Sequence, residues 1–106
     1  MPKYLVRVSY TADGVKGLMK DKASGRRAAV AKLVESDGGK LEAFYFAFGA
    51  DDVISIVDLP SNVNAAAFSL AVNAAGFANL SLTPLLTAEE MDAALGKSVN
   101  YRAPGK

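Results

Sequence analysis

The chain opens on a period-two pattern. Tyr4, Val6, Val8 and Tyr10 fall on one face of the segment Lys3–Tyr10, and Lys3, Leu5, Arg7 and Ser9 on the other, which predicts a half-buried strand. Thr11-Ala12-Asp13-Gly14 reads as a turn, with Asp13 capping a short helical turn that carries Val15, Leu18 and Met19. From Lys22 to Asp37 the positions Ala23, Val30, Leu33 and Val34 make the apolar stripe of a long helix, closed by Gly38-Gly39. Lys40–Phe48 predicts a strand with apolar groups on both faces: Leu41, Ala43, Tyr45 and Ala47 one way, Phe44, Phe46 and Phe48 the other. Gly49-Ala50-Asp51-Asp52 is a hairpin turn, and Val53–Leu59 a further strand stopped by Pro60. Ser61 or Asn62 caps a second helix that runs to Ala75 on an inner stripe of Phe68, Ala71, Val72 and Ala75 and ends at Gly76. Asn79–Leu86 is the last strand. Thr87-Ala88-Glu89-Glu90 has the form of a capping box and opens a short helix through Leu95.

The order is β-α-β-β-α-β with a short helix behind it. That is an α+β, ferredoxin-like plan: a four-stranded antiparallel sheet with both helices on one face and a short C-terminal helix. The expected division is one domain over residues 1–96 and a polar, mobile tail over 97–106. With both helices on one face, the other face of the sheet is uncovered, and a strand that is apolar on both sides would expose aromatics there. An apolar patch of that size marks an interface. The expectation is a homodimer or higher homo-oligomer, with Phe44, Phe46 and Phe48 as the interface residues.

Composition narrows the chemistry. The 106 residues contain neither cysteine nor histidine. This excludes a disulfide framework, thiolate or imidazole metal ligation and the Ser-His and Cys-His nucleophile pairs. No metal and no cofactor is expected. Net charge is +1, a balance that predicts neither a nucleic-acid partner nor a membrane partner. The run before Arg7 is too short for a signal-peptide core, and the uncharged stretch from Leu59 to Ala88 is broken by Asn62, Asn64, Asn73, Asn79, Gly76 and Pro84, unlike a membrane span. A cytoplasmic location is expected.

Charge is unevenly placed. Residues 1–40 hold nine Lys/Arg and four Asp/Glu, while residues 41–96 hold seven Asp/Glu and no Lys or Arg. Either the two halves neutralise each other within one fold, or a basic surface of one subunit meets an acidic surface of another.

Four short segments carry a resemblance. The opening Tyr4-Leu-Val-Arg-Val-Ser-Tyr-Thr-Ala-Asp-Gly-Val, Gly38-Gly39-Lys40 before an aromatic strand, Gly49-Ala50-Asp51-Asp52-Val53-Ile54 and Leu86-Thr-Ala-Glu-Glu-Met together resemble the GYD domain family over roughly Met1 to Leu95. The resemblance implies a ferredoxin-like fold of the dimeric α/β barrel type, and implies no particular reaction. Gly49 and Asp52 match the family's Gly-Tyr-Asp element, but Asp51 stands at its tyrosine position.

Three groups of residues invite a chemical reading. Asp51 and Asp52 are adjacent carboxylates, for which a metal or general-base role competes with the plain preference of aspartate for turns. Ser24-Gly25-Arg26-Arg27 offers two guanidinium groups to an anion, or simply a solvated helix face. Arg7 falls on the uncovered sheet face, where its charge needs an acid such as Asp58 or an anionic ligand. Arg7, Tyr45 and Asp58 are accordingly the candidate ligand-binding residues, with Tyr45 sharing Arg7's face only if the strand register allows it. The functional expectation is a small-molecule binding or interaction module, its ligand small and anionic. The alternatives are a cofactor-free enzyme of the dimeric α/β barrel type, in which a carboxylate or a tyrosine-arginine pair replaces histidine, and a purely structural assembly role.

Overall fold

The computed structural model describes residues 1–106. Its elements are β1 (Lys3–Tyr10), α1 (Ala12–Ser36), β2 (Lys40–Phe46), β3 (Val53–Asp58), α2 (Asn62–Ala75), β4 (Ala78–Leu85) and α3 (Ala88–Leu95). The four strands form one sheet in the order β2-β3-β1-β4, with every pairing antiparallel. This is the ferredoxin-like arrangement the element order predicts. The sheet is open, and that corrects the α/β barrel type implied by the resemblance. β2 and β4 are its free edges. Closure needs about eight strands before the interior can be filled by side chains, and four strands leave two edges that never meet. The outer edge of β4 is occupied instead by a side chain: Asn73 of α2 accepts from the Leu80 N–H at 2.7 Å and donates to the Leu80 carbonyl at 3.0 Å.

The core lies between the sheet and the helices. Tyr4, Val6 and Val8 of β1, Val53 and Val57 of β3, Leu59, Val34 of α1, and Ala65 and Phe68 of α2 are buried together. Tyr4 is buried yet satisfied, because its hydroxyl donates to Asn62 Oδ1 at 2.6 Å. In α2 the buried stripe includes Ala65, whereas Ala71 and Ala75 are exposed. The inner face is therefore rotated from the stripe expected from sequence.

The first helix is longer than expected and broken. Thr11, not Asp13, is its cap: its hydroxyl accepts from the Gly14 N–H. The helix then runs to Ser36 across a kink at Lys22, which has φ 64° and ψ 168°. Its start is clamped to the turn between α2 and β4. The Thr11 N–H donates to the Phe77 carbonyl, and its hydroxyl donates to that of Gly76. Gly14 lies so close to this turn that a Cβ would overlap the Phe77 carbonyl oxygen.

A bulge in β2 decides which residues face outward. The β2–β3 register shifts between Leu41 and Ala43, so Leu41 lies opposite Val57 while Ala43 lies opposite Ile56. One extra residue, Glu42, reverses the facing of every later position in the strand. Leu41, Phe44 and Phe46 then lie on the helix-covered face, in register with Val57, Ser55 and Val53. Ala43 and Tyr45 lie on the uncovered face.

The C-terminal end stands apart. Thr87 and Glu90 form the expected capping box at α3, but residues 86–102 are all exposed. The Cα radius of gyration is 16.8 Å and the long axis 57 Å, against roughly 13 Å for the radius of a compact chain of this length.

Candidate functional site

The uncovered face of the sheet has well-defined rows. Tyr45, Ile54, Arg7 and Ser81 lie side by side across the four strands, and Ala43, Ile56, Leu5 and Thr83 make the next row. Tyr45 and Arg7 thus share a face, with Ile54 between them. Asp58 is on the same face but four residues from Ile54, about 13 Å along the strand at 3.3 Å per residue. The structure does not bring it to Arg7. Arg7 Nε donates to Asp51 Oδ2 at 2.9 Å, and Asp58 instead accepts from Lys3 Nζ at 2.9 Å. Lys3 also pairs with Glu42. Those hydrogen bonds, to Glu42 first and Asp58 second, hold the Lys3 ammonium above the usual lysine range.

Asp51 and Asp52 are both structural in geometry. Asp52 Oδ2 accepts from the Tyr10 N–H at 2.7 Å, the Asp52 N–H donates to the Val8 carbonyl at 2.7 Å, and Ser9 Oγ donates to the Ala50 carbonyl at 3.0 Å. The hairpin turn is thereby fastened across the end of β1. No group of three or more carboxylates converges in a way that could hold a metal ion.

The aromatic residues of β2 sit elsewhere than on the uncovered sheet. Phe44 packs against the core, and its ring meets that of Phe46 edge to face at 5.2 Å. Both line an open cleft of about 210 Å³ together with Ala23, Ser24 and Arg27 of α1. Phe48 lies beyond the end of β2 and is fully exposed. The apolar side chains of the uncovered face are Leu5, Ala43, Tyr45, Ile54, Ile56 and Leu85, of which Tyr45 is 70% exposed.

One concavity has no counterpart in the sequence pattern. A cavity of about 440 Å³ opens between α1, on both sides of its kink, and the end of α2. Tyr10, Leu18, Leu33, Val72 and Phe77 line it, with Asp21 and Arg26 as its charged residues. Gly14 and Gly17, one helical turn apart, also line it, and at Gly17 the space where a side chain would stand is open. A smaller space of about 70 Å³ lies deeper against the sheet, lined by Val8, Phe44, Ser55 and Phe68 and sharing Tyr10, Arg26, Leu33 and Val72 with the first. Arg26 therefore stands at the junction between them.

The kink in α1 shapes the charge of this cavity. On a straight helix, residues five apart point well away from each other, since only three and four apart are neighbours. Across the break at Lys22, Arg26 Nη1 comes within 3.6 Å of Asp21 Oδ2. That separation is loose for an ion pair, and both side chains keep contact with water, at 34% and 48% exposure. The arrangement presents one guanidinium to an apolar cavity while leaving hydrogen-bonding capacity on it. In the sequence the signal is the pair Arg26-Arg27, which the structure divides: Arg26 lines the cavity and Arg27 lines a separate open cleft with Phe44 and Phe46.

A model of the GYD domain matches residues 4–95. The chain belongs to the GYD domain family. No curated protein and no solved structure matches it. In this GYD domain Asp51 bonds Arg7 and does not line the cavity. No helix is long and apolar enough to cross a membrane.

Proposed function

We propose that this GYD domain is a small-molecule binding module, and that its ligand occupies the cavity between α1 and α2 with an apolar body and an anionic end. The observation that carries the reading is Arg26, the one cation in the wall of a cavity otherwise lined mainly by apolar side chains. A volume near 440 Å³ falls in the usual range for small-ligand sites, which combine an apolar wall with a few polar groups that orient the ligand. A carboxylate or sulfonate would meet the guanidinium fork through paired hydrogen bonds, displacing the loose contact with Asp21. Leu18, Leu33, Val72 and Phe77 would cover the apolar part.

In the same reading residues 1–96 form the binding domain and residues 97–106 a mobile tail, in a cytoplasmic protein. The domain associates with itself through the uncovered sheet face, where Leu5, Ala43, Tyr45, Ile54 and Ile56 would be withdrawn from water. Arg7 and Asp58 mark opposite ends of that face.

The test uses anilinonaphthalene sulfonate, an apolar anion that fluoresces when shielded from water. The expected result is saturable binding by the wild-type protein, weakened about tenfold or more in Arg26→Met, as loss of a charge-assisted pair implies, and abolished by Leu18→Trp, which fills the cavity. Equal binding to all three proteins would overturn the assignment.

A further inference from the structure

α3 is built as a helix but covers nothing in its own chain. It is eight residues long, and none of its residues is buried. Isolated helices of this length are marginal in water even with good caps. One side carries Met91 and Leu95, 48% and 76% exposed, at the i, i+4 spacing that makes a single apolar stripe. The rest of the helix is acidic: Glu89, Glu90 and Asp92, with no basic residue in the last turn.

α1 carries the complementary pattern. Val15 and Met19, again i and i+4, are 42% and 75% exposed. Lys16 and Lys20 follow them directly and are exposed as well. The stripe is separate from the ligand cavity, to which the same turns contribute Gly14, Gly17, Leu18 and Asp21. In its own chain α3 starts from the end of β4 that pairs with Lys3, whereas α1 starts beyond Tyr10 at the opposite end of the sheet. α2 is the helix packed on β4, and α1 lies over β2.

We propose that α3 is an exchanged arm, and that it docks on the N-terminal half of α1 of a second copy of this chain. Met91 and Leu95 pack on Val15 and Met19 of the other copy, while Glu89 and Asp92 lie among Lys16 and Lys20. The uneven charge of the chain, basic at the start and acidic later, then has a partner-selecting role: each copy offers an acidic arm and a basic seat. Two copies related by a two-fold axis satisfy both arm contacts at once and leave the uncovered sheet face free for a separate contact.

The absence of cysteine makes the test direct. Full-length Met91→Cys and Met19→Cys proteins are mixed and treated with a short bis-maleimide. Both positions are exposed, so neither change disturbs the core. The expected result is a covalent dimer joining the two variants. Adding Lys16→Glu and Lys20→Glu to the Met19→Cys chain should lower its yield about tenfold, since like charges meet, and Glu89→Lys with Asp92→Lys on the Met91→Cys chain should restore it. Glu90 is left alone because it caps the helix. No cross-link would overturn the proposal. So would equal cross-linking of Met91→Cys to Leu70→Cys on α2, or to Tyr45→Cys on the sheet face. The Tyr45 result would place the arm on the uncovered sheet instead. None of these readouts depends on ligand binding at Arg26.

Discussion

Arg7 and Asp51 are joined across the uncovered end of the sheet, Nε to Oδ2 at 2.9 Å. The contact holds the β2–β3 turn over β1 together with a second, adjacent carboxylate, and the two acids work differently. Asp51 meets a half-exposed guanidinium. Asp52 receives the Tyr10 backbone N–H at 2.7 Å, where the strand ends and no ladder partner remains.

The two aspartates should therefore rank in a definite order. Asp51→Ala removes a solvent-screened ion pair and is expected to lower stability by at most about 1 kcal/mol. Asp52→Ala leaves a backbone donor without its charged acceptor and should lower it by about 1.5–3 kcal/mol. Urea unfolding of the two variants measures the order, and an equal or reversed ranking would remove Asp52 as the fastening residue of the turn.

Lys22 sits at φ 64°, ψ 168°, a region that is essentially glycine's own and costs a side-chain-bearing residue about 1–3 kcal/mol. Lys22→Gly relieves that strain, while adding about 0.5–1 kcal/mol of chain entropy to the unfolded state. The net expectation is a gain of about 1 kcal/mol, read as a higher midpoint in thermal unfolding. A loss of stability would mean that the kink is held without strain. Because the same kink brings Asp21 to Arg26, Lys22→Pro should disturb the cavity and weaken anilinonaphthalene sulfonate binding along with stability.

Gly14 has a different reason to be glycine. Its conformation is helical, and the constraint is the Phe77 carbonyl against it. Gly14→Ala must push α1 off the α2–β4 turn and break the Thr11 contacts there. A loss of about 1–3 kcal/mol is expected, the range for overpacking, whereas Gly17→Ala, with open space around its Cβ position, should be neutral or slightly stabilising. Similar losses at both positions would discard the close-approach argument.

Much of this architecture is readable along the chain, for a physical reason. The alternation in Lys3–Tyr10, the αL glycine at Gly76 and the Thr87–Glu90 box are local signals, and local signals survive folding. The failures are non-local. The bulge at Glu42 is invisible to a period-two reading, and it alone reverses Ala43 and Tyr45 relative to Leu41. That moves Phe44 and Phe46 to the helix-covered face, away from the uncovered sheet where alternation puts them. Arg7 is on the face that alternation predicts, but its partner depends on how the turn folds back, so the role of Asp51 is not legible in the sequence. The cavity depends on the approach of α1 to α2, which no spacing within either helix specifies. Asn73 illustrates the same limit: it reads as an uncharged outer helix position, yet it caps the backbone of a strand edge.

Lys3 gives the protein a dependence on alkaline pH. Its ammonium is held above the ordinary lysine value by Glu42 and Asp58. A group whose folded pKa is raised contributes stability that is fully present below the unfolded value, 10.5 for this lysine, and that is lost as pH rises through the folded value. Stability should thus be insensitive to this group at neutral pH and fall above 10.5. Lys3→Met should flatten that part of the profile, and the size of the effect should shrink in high salt because the ammonium is exposed to solvent.

The uncovered sheet face makes the sharpest distinction between sequence pattern and register. Ile54 lies between Tyr45 and Arg7 on that face, whereas Phe46 lies on the other. If the face joins two copies, Ile54→Asp places a charge in the middle of that contact and should weaken it about tenfold or more, lowering the mass of the assembly to what the α3 exchange alone holds together. Phe46→Asp should lower stability through lost packing with Phe44 but leave the mass unchanged. Sedimentation equilibrium on both variants, at concentrations where each is folded by circular dichroism, separates the two faces. Dissociation by Phe46→Asp with Ile54→Asp unaffected would return the interface to the aromatic residues of β2 and refute the role assigned to the uncovered face.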